Sequence, residues 1–183
     1  MPRSALSLIA GALALVFVTG ASGSSGVWLD VPFFKQEKNG CGAAVLAMVM
    51  QYWQRQGGAP PNDRADPRVI QRMLYSEPAR GIPASALERY LRDAGFRAFS
   101  FAAEWRDLEQ HLGKGRPVIV ALRPSRRADP HYVLVVGLDT VRGFVFVNDP
   151  ARGKLLRLAR APFERDWSTA GNWALLALPE KSE

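Results

Sequence analysis

A polar segment gives way to an apolar one at residues 36–50, which read QEKNGCGAAVLAMVM. The apolar part is typical of a buried helix, and it predicts that Cys41 lies in the first turn of that helix. Unpaired N–H groups and the positive end of the helix dipole stabilise a thiolate there, so the pKa of such a cysteine can fall from about 8.5 to roughly 3.5–7.5. Cys41 is therefore either a nucleophile or a small buried hydrophobe, as most free cysteines are.

Further along the chain, two short runs of β-branched and aromatic residues begin at His131 and Phe144, and they predict a β-hairpin. If Leu138 pairs with Phe144, Asp149 stands opposite Val133 and is a diagonal neighbour of His131 on the same face. A carboxylate in that position can fix the tautomer of an imidazole and stabilise its protonated form. A register slip of one residue would put His131 and Asp149 on opposite faces.

Two other carboxylates flank the same hairpin. Asp129 precedes His131, and Asp139 follows the first of the two predicted strands. Either could orient the imidazole, but aspartates are common in turns because their side chains bond nearby backbone N–H groups, which is sufficient to explain both.

These residues together resemble a known pattern, that of the bacteriocin-processing double-glycine peptidases, a papain-like family of cysteine peptidases. The pattern is carried by Gln36, by CGAA at 41–44, by HYV at 131–133 and by NDP at 148–150. The likeness spans most of the chain after residue 27. It implies an α+β fold in which a nucleophile at a helix N-terminus packs on an antiparallel sheet that carries His and Asp.

The resemblance also implies a role for each site residue. Cys41 would be the nucleophile, His131 the general base and acid, and Asp149 the partner that orients the imidazole. Gln36 would donate from its side-chain amide into an oxyanion hole, and the loss of one such donor typically costs about 100-fold to 1000-fold in rate. In one departure from the pattern, asparagine and glycine precede the cysteine, where transporter-fused members usually carry an acidic residue. In another, nothing in the chain resembles a nucleotide-binding loop.

The first 26 residues have the layout of a secretory signal. A basic opening at Arg3 precedes an apolar run from Ala5 to Val18, which is shorter than the roughly 20 residues of a membrane span. Cleavage is expected after Ala21 or Gly23, and the alternative is an uncleaved anchor that holds the protein at a membrane. We expect an exported protein, periplasmic or secreted, in which a single unpaired cysteine suggests reactivity.

The composition argues against several other kinds of partner. The sequence has a formal net charge of +7, but its arginines are scattered and show no aromatic-interleaved stripe, so nucleic acid is not an expected partner. The densest basic patch, Arg123–Arg127, is either a solvated loop or a rim that attracts acidic segments of a substrate. One cysteine and two histidines offer no closely spaced set of zinc ligands, and neither a metal nor a cofactor is expected.

Residues 27–183 are long enough for one domain with its own core. Helices come first and antiparallel strands last in the predicted order, which gives an α+β layout. The predicted helices cover residues 42–53, 67–74, 83–94 and 104–112, and the predicted strands outside the hairpin cover 96–102, 118–122 and 173–178.

Three functions of different classes fit these observations. The first is an exported cysteine peptidase that acts on a polypeptide, with small Gly-Gly type residues before the cut, as the resemblance implies. The second is an acyltransferase or cell-wall amidase that uses the same triad, because a thiol triad does not specify its leaving group. The third is a non-catalytic peptide-binding module, which is disfavoured because all four site positions hold competent residue types.

Overall fold

A computed structural model describes residues 26–58 and 63–180 of the chain. The described strands are β1 (Gly26–Trp28), β2 (Phe96–Ala102), β3 (Val118–Leu122), β4 (His131–Asp139), β5 (Phe144–Asp149), β6 (Gly153–Ala159) and β7 (Trp173–Pro179). The described helices are α1 (Cys41–Arg55), α2 (Pro67–Leu74), α3 (Ala84–Asp93), α4 (Trp105–Gly113) and α5 (Arg160–Thr169). The predicted helices and strands are confirmed, with ends that move by two residues at most.

The seven strands form one antiparallel sheet in the order β2-β7-β3-β4-β5-β6, with β1 also paired to β4. Strand β3 runs beside residues 131–135 of β4, and β1 runs beside residues 137–139 on the same edge. The sheet and the helices together confirm the predicted α+β fold class.

Helices cover both faces of the sheet, because the strands in its centre have apolar side chains on both sides. Val133 and Val135 of β4 belong to the core cluster that contains α4 and α5, while Leu134 and Val136 belong to the cluster that contains α1, α2 and α3. Residues 42–50 of α1 are buried throughout, which explains the uninterrupted apolar run that the sequence shows there.

The register of β4 against β5 differs from the predicted one at the turn and agrees with it near the site. Phe144 pairs with Asp139, and its predicted pairing with Leu138 is wrong. A β-bulge in β4 then shifts the register by one residue, so that Leu134 pairs with Asn148, as the predicted register requires. The bulge therefore restores the alignment of the two strands before they reach the site.

Three elements have weak sequence signals and were not predicted. Strand β1 has three residues, and β6 is an edge strand whose side chains are mostly exposed. Helix α5 begins without a side-chain cap, has Pro162 in its first turn, and buries only Phe163 and Trp167. Neither β6 nor α5 shows a regular alternation or a broad apolar stripe, because each packs on the domain through few side chains.

The predicted signal or anchor lies outside the described residues except for Gly26, and it stays a prediction. Within the described ranges, no helix combines the length and the apolar character that crossing a membrane requires.

Candidate active site

Cys41 is the first residue of α1, as the sequence predicted. A tight turn directly precedes it, in which Asn39 has a φ of 57° and the N–H of Gly40 donates to the carbonyl of Glu37 at 3.0 Å. A Cβ atom on Gly40 would lie 3.0 Å from that carbonyl, so glycine suits the turn. The turn ends the polar loop abruptly and places the thiol where the unpaired N–H groups of the helix begin.

The two strands of the hairpin bring His131 and Asp149 into contact. His131 opens β4, Asp149 closes β5, and His131 Nε2 lies 2.7 Å from Asp149 Oδ1. The same oxygen accepts a hydrogen bond from the backbone N–H of Ala151 at 2.9 Å. The Asp149 carboxylate is thus fixed by two contacts, one with the His131 ring and one with a backbone N–H.

The two alternative carboxylates bond to other residues. Asp139 accepts a hydrogen bond from the backbone N–H of Arg142 at 2.9 Å, which is the turn chemistry that its position suggested. Asp129 forms an ion pair with Arg80 on a separate loop. The predicted pairing of His131 with Asp149 is therefore the one that the fold makes.

The His131 ring also interacts with the Cys41 thiol, and this interaction shifts the pKa values of both groups. Because Asp149 occupies Nε2, the nitrogen that faces the sulfur is Nδ1. The sulfur is close to two further donors, the backbone N–H groups of Tyr132 and Gly42. Helix α1 and strand β4 thus bring the sulfur close to the imidazole ring, whose Nε2 lies 2.7 Å from Asp149 Oδ1.

These contacts shift the pKa values of the group in opposite directions. Burial by itself raises the pKa of the Cys41 thiol, but the His131 ring and the Tyr132 N–H outweigh it and hold this pKa below its ordinary value. Burial by itself lowers the pKa of His131, but hydrogen bonds to Asp149 and Cys41 raise it to about 9. Both shifts favour the ionised pair, a thiolate beside an imidazolium, over the neutral thiol and imidazole.

Asp149 stays ionised in this arrangement. Burial raises the pKa of its carboxyl, but the hydrogen bond and charge of His131, with backbone N–H groups of Ala151 and Arg152, lower it below the ordinary value. Burial and the nearby Cys41 charge raise the pKa of Tyr132 to about 12, so its hydroxyl stays protonated.

Gln36 lies in the loop before α1 and lines the same cleft as Cys41 and His131. Its backbone N–H donates to the carbonyl of Pro150 at 3.0 Å, which ties this loop to the segment that follows Asp149. Its side-chain Oε1 is buried and has no partner among the described residues. All four residues that the sequence singled out thus lie at one site.

A cleft of about 1160 Å³ opens over the site, between the turn before α1 and segments of α2, α3 and β4. The charged residues that line it are Lys38, Arg72, Glu77, Arg80 and Asp129. Sequence reasoning missed Gln71 and Arg80 in this lining, because both come from segments far from Cys41 along the chain.

The predicted absence of a metal remains a prediction. In residues 26–58 and 63–180, no three His, Cys, Asp or Glu side chains are grouped so that they could hold a metal ion.

Fold and site together are those of a papain-like cysteine peptidase. Residues 28–175 match the family model described as Peptidase_C39 like family, and the chain therefore belongs to that family of cysteine peptidases. Among curated proteins, none matches the sequence significantly.

Solved structures with the same fold include three relatives of low identity. A C39-like peptidase from Bacillus anthracis is 18% identical with a TM-score of 0.65, over 86% of this chain and 99% of its own. The double-glycine motif protease of an AMS/PCAT transporter, in complex with a leader peptide, is 22% identical with a TM-score of 0.64, over 84% and 95%. The peptidase domain of Streptococcus ComA is 21% identical with a TM-score of 0.64, over 81% and 98%.

Proposed function

We propose that this protein is an exported cysteine peptidase that hydrolyses peptide bonds through Cys41, His131 and Asp149, after small residues of the Gly-Gly type. The observation that carries the proposal is the grouping of Cys41, His131 and Asp149 at an open cleft, with His131 Nε2 2.7 Å from Asp149 Oδ1 and the ring acting on the pKa of the thiol.

The reaction starts from the thiolate and imidazolium pair. Cys41 Sγ attacks the carbonyl carbon of the scissile bond, and the carbonyl oxygen takes the negative charge of the tetrahedral intermediate. His131 gives its Nδ1 proton to the leaving amine, the C–N bond breaks, and a thioester remains on Cys41. His131 then accepts a proton from a water molecule whose oxygen attacks the thioester, which releases the acid and restores the thiolate with its imidazolium.

Each remaining site residue has a role in these steps. Asp149 accepts a hydrogen bond from Nε2, keeps Nδ1 facing the sulfur, and stabilises the imidazolium. The Gln36 side-chain NH₂ donates to the developing oxyanion, for which its place in the cleft beside Cys41 is suited. Donors fixed in this way stabilise the transition state because they need little reorganisation when the charge appears.

Small residues before the cut are proposed from the family and from one relative. The AMS/PCAT relative is a double-glycine motif protease whose structure was solved in complex with a leader peptide. Export is proposed from residues 1–26, whose basic opening and apolar run are typical of a signal. A substrate of this chain would then be an exported polypeptide with two small residues before the scissile bond.

The test is a peptide library given to the protein without residues 1–26, with Cys41→Ala as the background. We expect cleavage after Gly-Gly or Gly-Ala pairs, absent from the Cys41→Ala sample. A preference for bulky or charged residues before the cut would contradict the substrate class. Release of cell-wall fragments, or transfer of the acyl group to an added amine, would instead favour the amidase or transferase.

Export has its own test. Mass spectrometry of the full chain expressed in a bacterium should give an N-terminus after Ala21 or Gly23 in the exported fraction. An intact chain held in the membrane fraction would show an uncleaved anchor, and an intact chain in the cytosol would overturn the export proposal.

A further inference from the structure

Two glutamine residues line both the catalytic cleft and a neighbouring cavity. The cavity has a volume of about 320 Å³ and lies between the loop before α1, the first turns of α1, and α2. Gln36 and Gln71 are the residues that line both the cavity and the cleft. Gln71 therefore shares both spaces with Gln36, the residue that the proposed function makes a donor to the oxyanion.

The packing of α2 independently turns Gln71 toward the loop that carries Gln36. Arg68 Nε lies 3.3 Å from the carboxylate of Glu37, and the hydroxyl of Tyr75 accepts a hydrogen bond from the Asn39 side chain at 3.5 Å. Arg68 and Gln71 are spaced i, i+3 and share one face of α2, and Tyr75 caps the C-terminus of this helix four residues after Gln71. The same face that contacts residues 37 and 39 therefore presents Gln71 to the loop.

Both side-chain amides have an oxygen that lacks a hydrogen-bond donor among the described residues. The Oε1 atoms of Gln36 and Gln71 are each buried without a hydrogen-bond partner among the described residues. A buried acceptor that is left unpaired destabilises the folded state, because it has lost its hydrogen bond to water. A side-chain amide has an acceptor at one end and two donors at the other, and turning it by half a circle exchanges the two at nearly the same shape. One half-turn of the Gln71 amide therefore puts an NH₂ group where an unpaired oxygen stands.

We infer that Gln71 is a positioning residue for Gln36. With its NH₂ turned inward, the Gln71 amide donates to Gln36 Oε1, directly or through one water molecule in the cavity. This bond holds the oxygen end of the Gln36 amide away from the cleft and its NH₂ end toward Cys41. The inference rests on the proposed role of Gln36 in the oxyanion hole.

A substitution of Gln71 should slow the reaction less than the removal of Gln36, because the oxyanion donor would remain but would be free to rotate. Removal of an oxyanion donor costs about 100-fold to 1000-fold, and a donor that is present but free to rotate should cost about 10-fold. The loss should appear only in reactions that pass through an oxyanion. Direct alkylation of the thiolate forms no such species, so it should not depend on Gln71.

The experiment compares two reactions of Cys41 in the full-length protein. Acylation by a Gly-Gly 4-nitrophenyl ester, followed as the burst of nitrophenolate, passes through a tetrahedral oxyanion, whereas alkylation by iodoacetamide does not. We expect Gln71→Leu to slow acylation about 10-fold and to change alkylation by less than about 2-fold. Gln110→Leu, at an exposed position on α4, is the matched control and should change neither rate.

Two further variants test whether the NH₂ group of Gln71 is required and whether Gln71 acts through Gln36. Gln71→Glu keeps the size but has no NH₂ group, so it should be impaired like Gln71→Leu, and it decides the question if the leucine variant does not fold. In Gln36→Ala, adding Gln71→Leu should slow acylation by less than about 2-fold more, because coupled residues are not additive.

Each result bears on one of the two claims. If Gln36→Ala is slow and both Gln71 variants acylate like the wild type, the inference on Gln71 is wrong and the proposed function stands. If Gln36→Ala itself acylates normally, the oxyanion role of Gln36 is wrong and the inference falls with it. Equal losses in acylation and alkylation would show that Gln71 acts on the whole site, which also overturns the inference.

Discussion

Asp149 and its neighbour Asn148 are both buried at the end of β5, but their side chains hold different parts of the molecule. Asp149 Oδ1 accepts hydrogen bonds from the His131 ring and from the Ala151 N–H. Asn148 Oδ1 accepts one at 2.9 Å from the N–H of Leu155, which has a φ of 53° in β6. One residue thus orients the imidazole, while the other holds a strained position in the next strand.

Substitutions of Asp149 should separate orientation from charge. Asp149→Ala removes the acceptor that fixes the ring, and we expect turnover to fall by about 100-fold or more. Asp149→Asn keeps an oxygen that can accept from Nε2–H, so its loss should stay under about 10-fold. Steady-state turnover of a Gly-Gly peptide amide measures both values.

The matched control is Asp139→Ala, on the same hairpin but bonded to Arg142. Asn148→Ala is less suitable, because it would leave the Leu155 N–H without its acceptor. If Asp139→Ala were slower than Asp149→Ala, the assignment of the orienting carboxylate would be wrong.

The ion pair of Cys41 and His131 predicts a characteristic pH dependence. Below the lowered pKa of Cys41 the thiol is protonated, so iodoacetamide alkylation should rise through that pKa and reach its plateau below the pH at which an ordinary thiol ionises. Turnover of a peptide amide also needs the imidazolium proton, so it should fall as the pH rises through about 9. In His131→Ala, alkylation should shift to the higher pH of an ordinary thiol. Superimposable alkylation profiles of the two proteins would refute the ion pair.

At the scale of secondary structure, β4 is the strand on which the site depends. It pairs with β3 and β1 along one edge and with β5 along the other, and its bulge adjusts the register between the turn and His131. Gly137 lies just beyond this irregularity, opposite Trp28 of β1. The close approach of β1 leaves no room for a side chain at that position.

Gly137→Ala should destabilise the protein. Its Cβ would lie 2.7 Å from the Val27 carbonyl and 2.8 Å from the Trp28 Cβ, closer than van der Waals contact. We expect a loss of about 1–3 kcal/mol in the free energy of unfolding, measured in urea. Gly113→Ala, where no atom of the described part of the chain lies within 4 Å of the added Cβ, is the control and should be neutral or slightly stabilising. Equal stability of the two variants would mean that β1 does not pack against β4 at this distance.

For the molecule as a whole, the cleft joins segments that are distant in sequence. The loop between α2 and α3 brings Arg80 to Asp129, which lies two residues before His131. Both side chains are about two-thirds exposed, at 68% and 69%, so the pair contributes little to stability, under about 1 kcal/mol. The pair does, however, connect the helical side of the cleft to the sheet side.

Breaking this pair should open the cleft to large reagents without changing the thiol. In Asp129→Asn we expect iodoacetamide to alkylate Cys41 at the wild-type rate, and a polyethylene-glycol maleimide to react faster, by up to about 5-fold. Asp139→Asn, which loosens an ion pair with Arg142 away from the cleft, is the control. Parallel changes with both reagents would indicate an altered thiol pKa and would contradict the role of the pair in access.

Much of this molecule follows from short stretches of its sequence. The start of α1 at Cys41, the hairpin of β4 and β5, and the α+β class were predictable because each depends on local features: a glycine turn before an apolar run, and β-branched residues on both sides of a short loop. Cys41, His131 and Asp149 were candidates from local patterns, the resemblance added Gln36 and a role for each residue, and the fold brings the four together.

Tertiary structure alone decided the remaining features. The bulge in β4, the order of the strands, and the positions of Gln71 and Arg80 in the cleft depend on contacts between segments far apart along the chain. The edge elements β6 and α5 also have no clear local pattern, because a few contacts with the finished core stabilise them. A local pattern specifies which face of an element is buried, but which other segment covers that face is settled only when the whole chain packs.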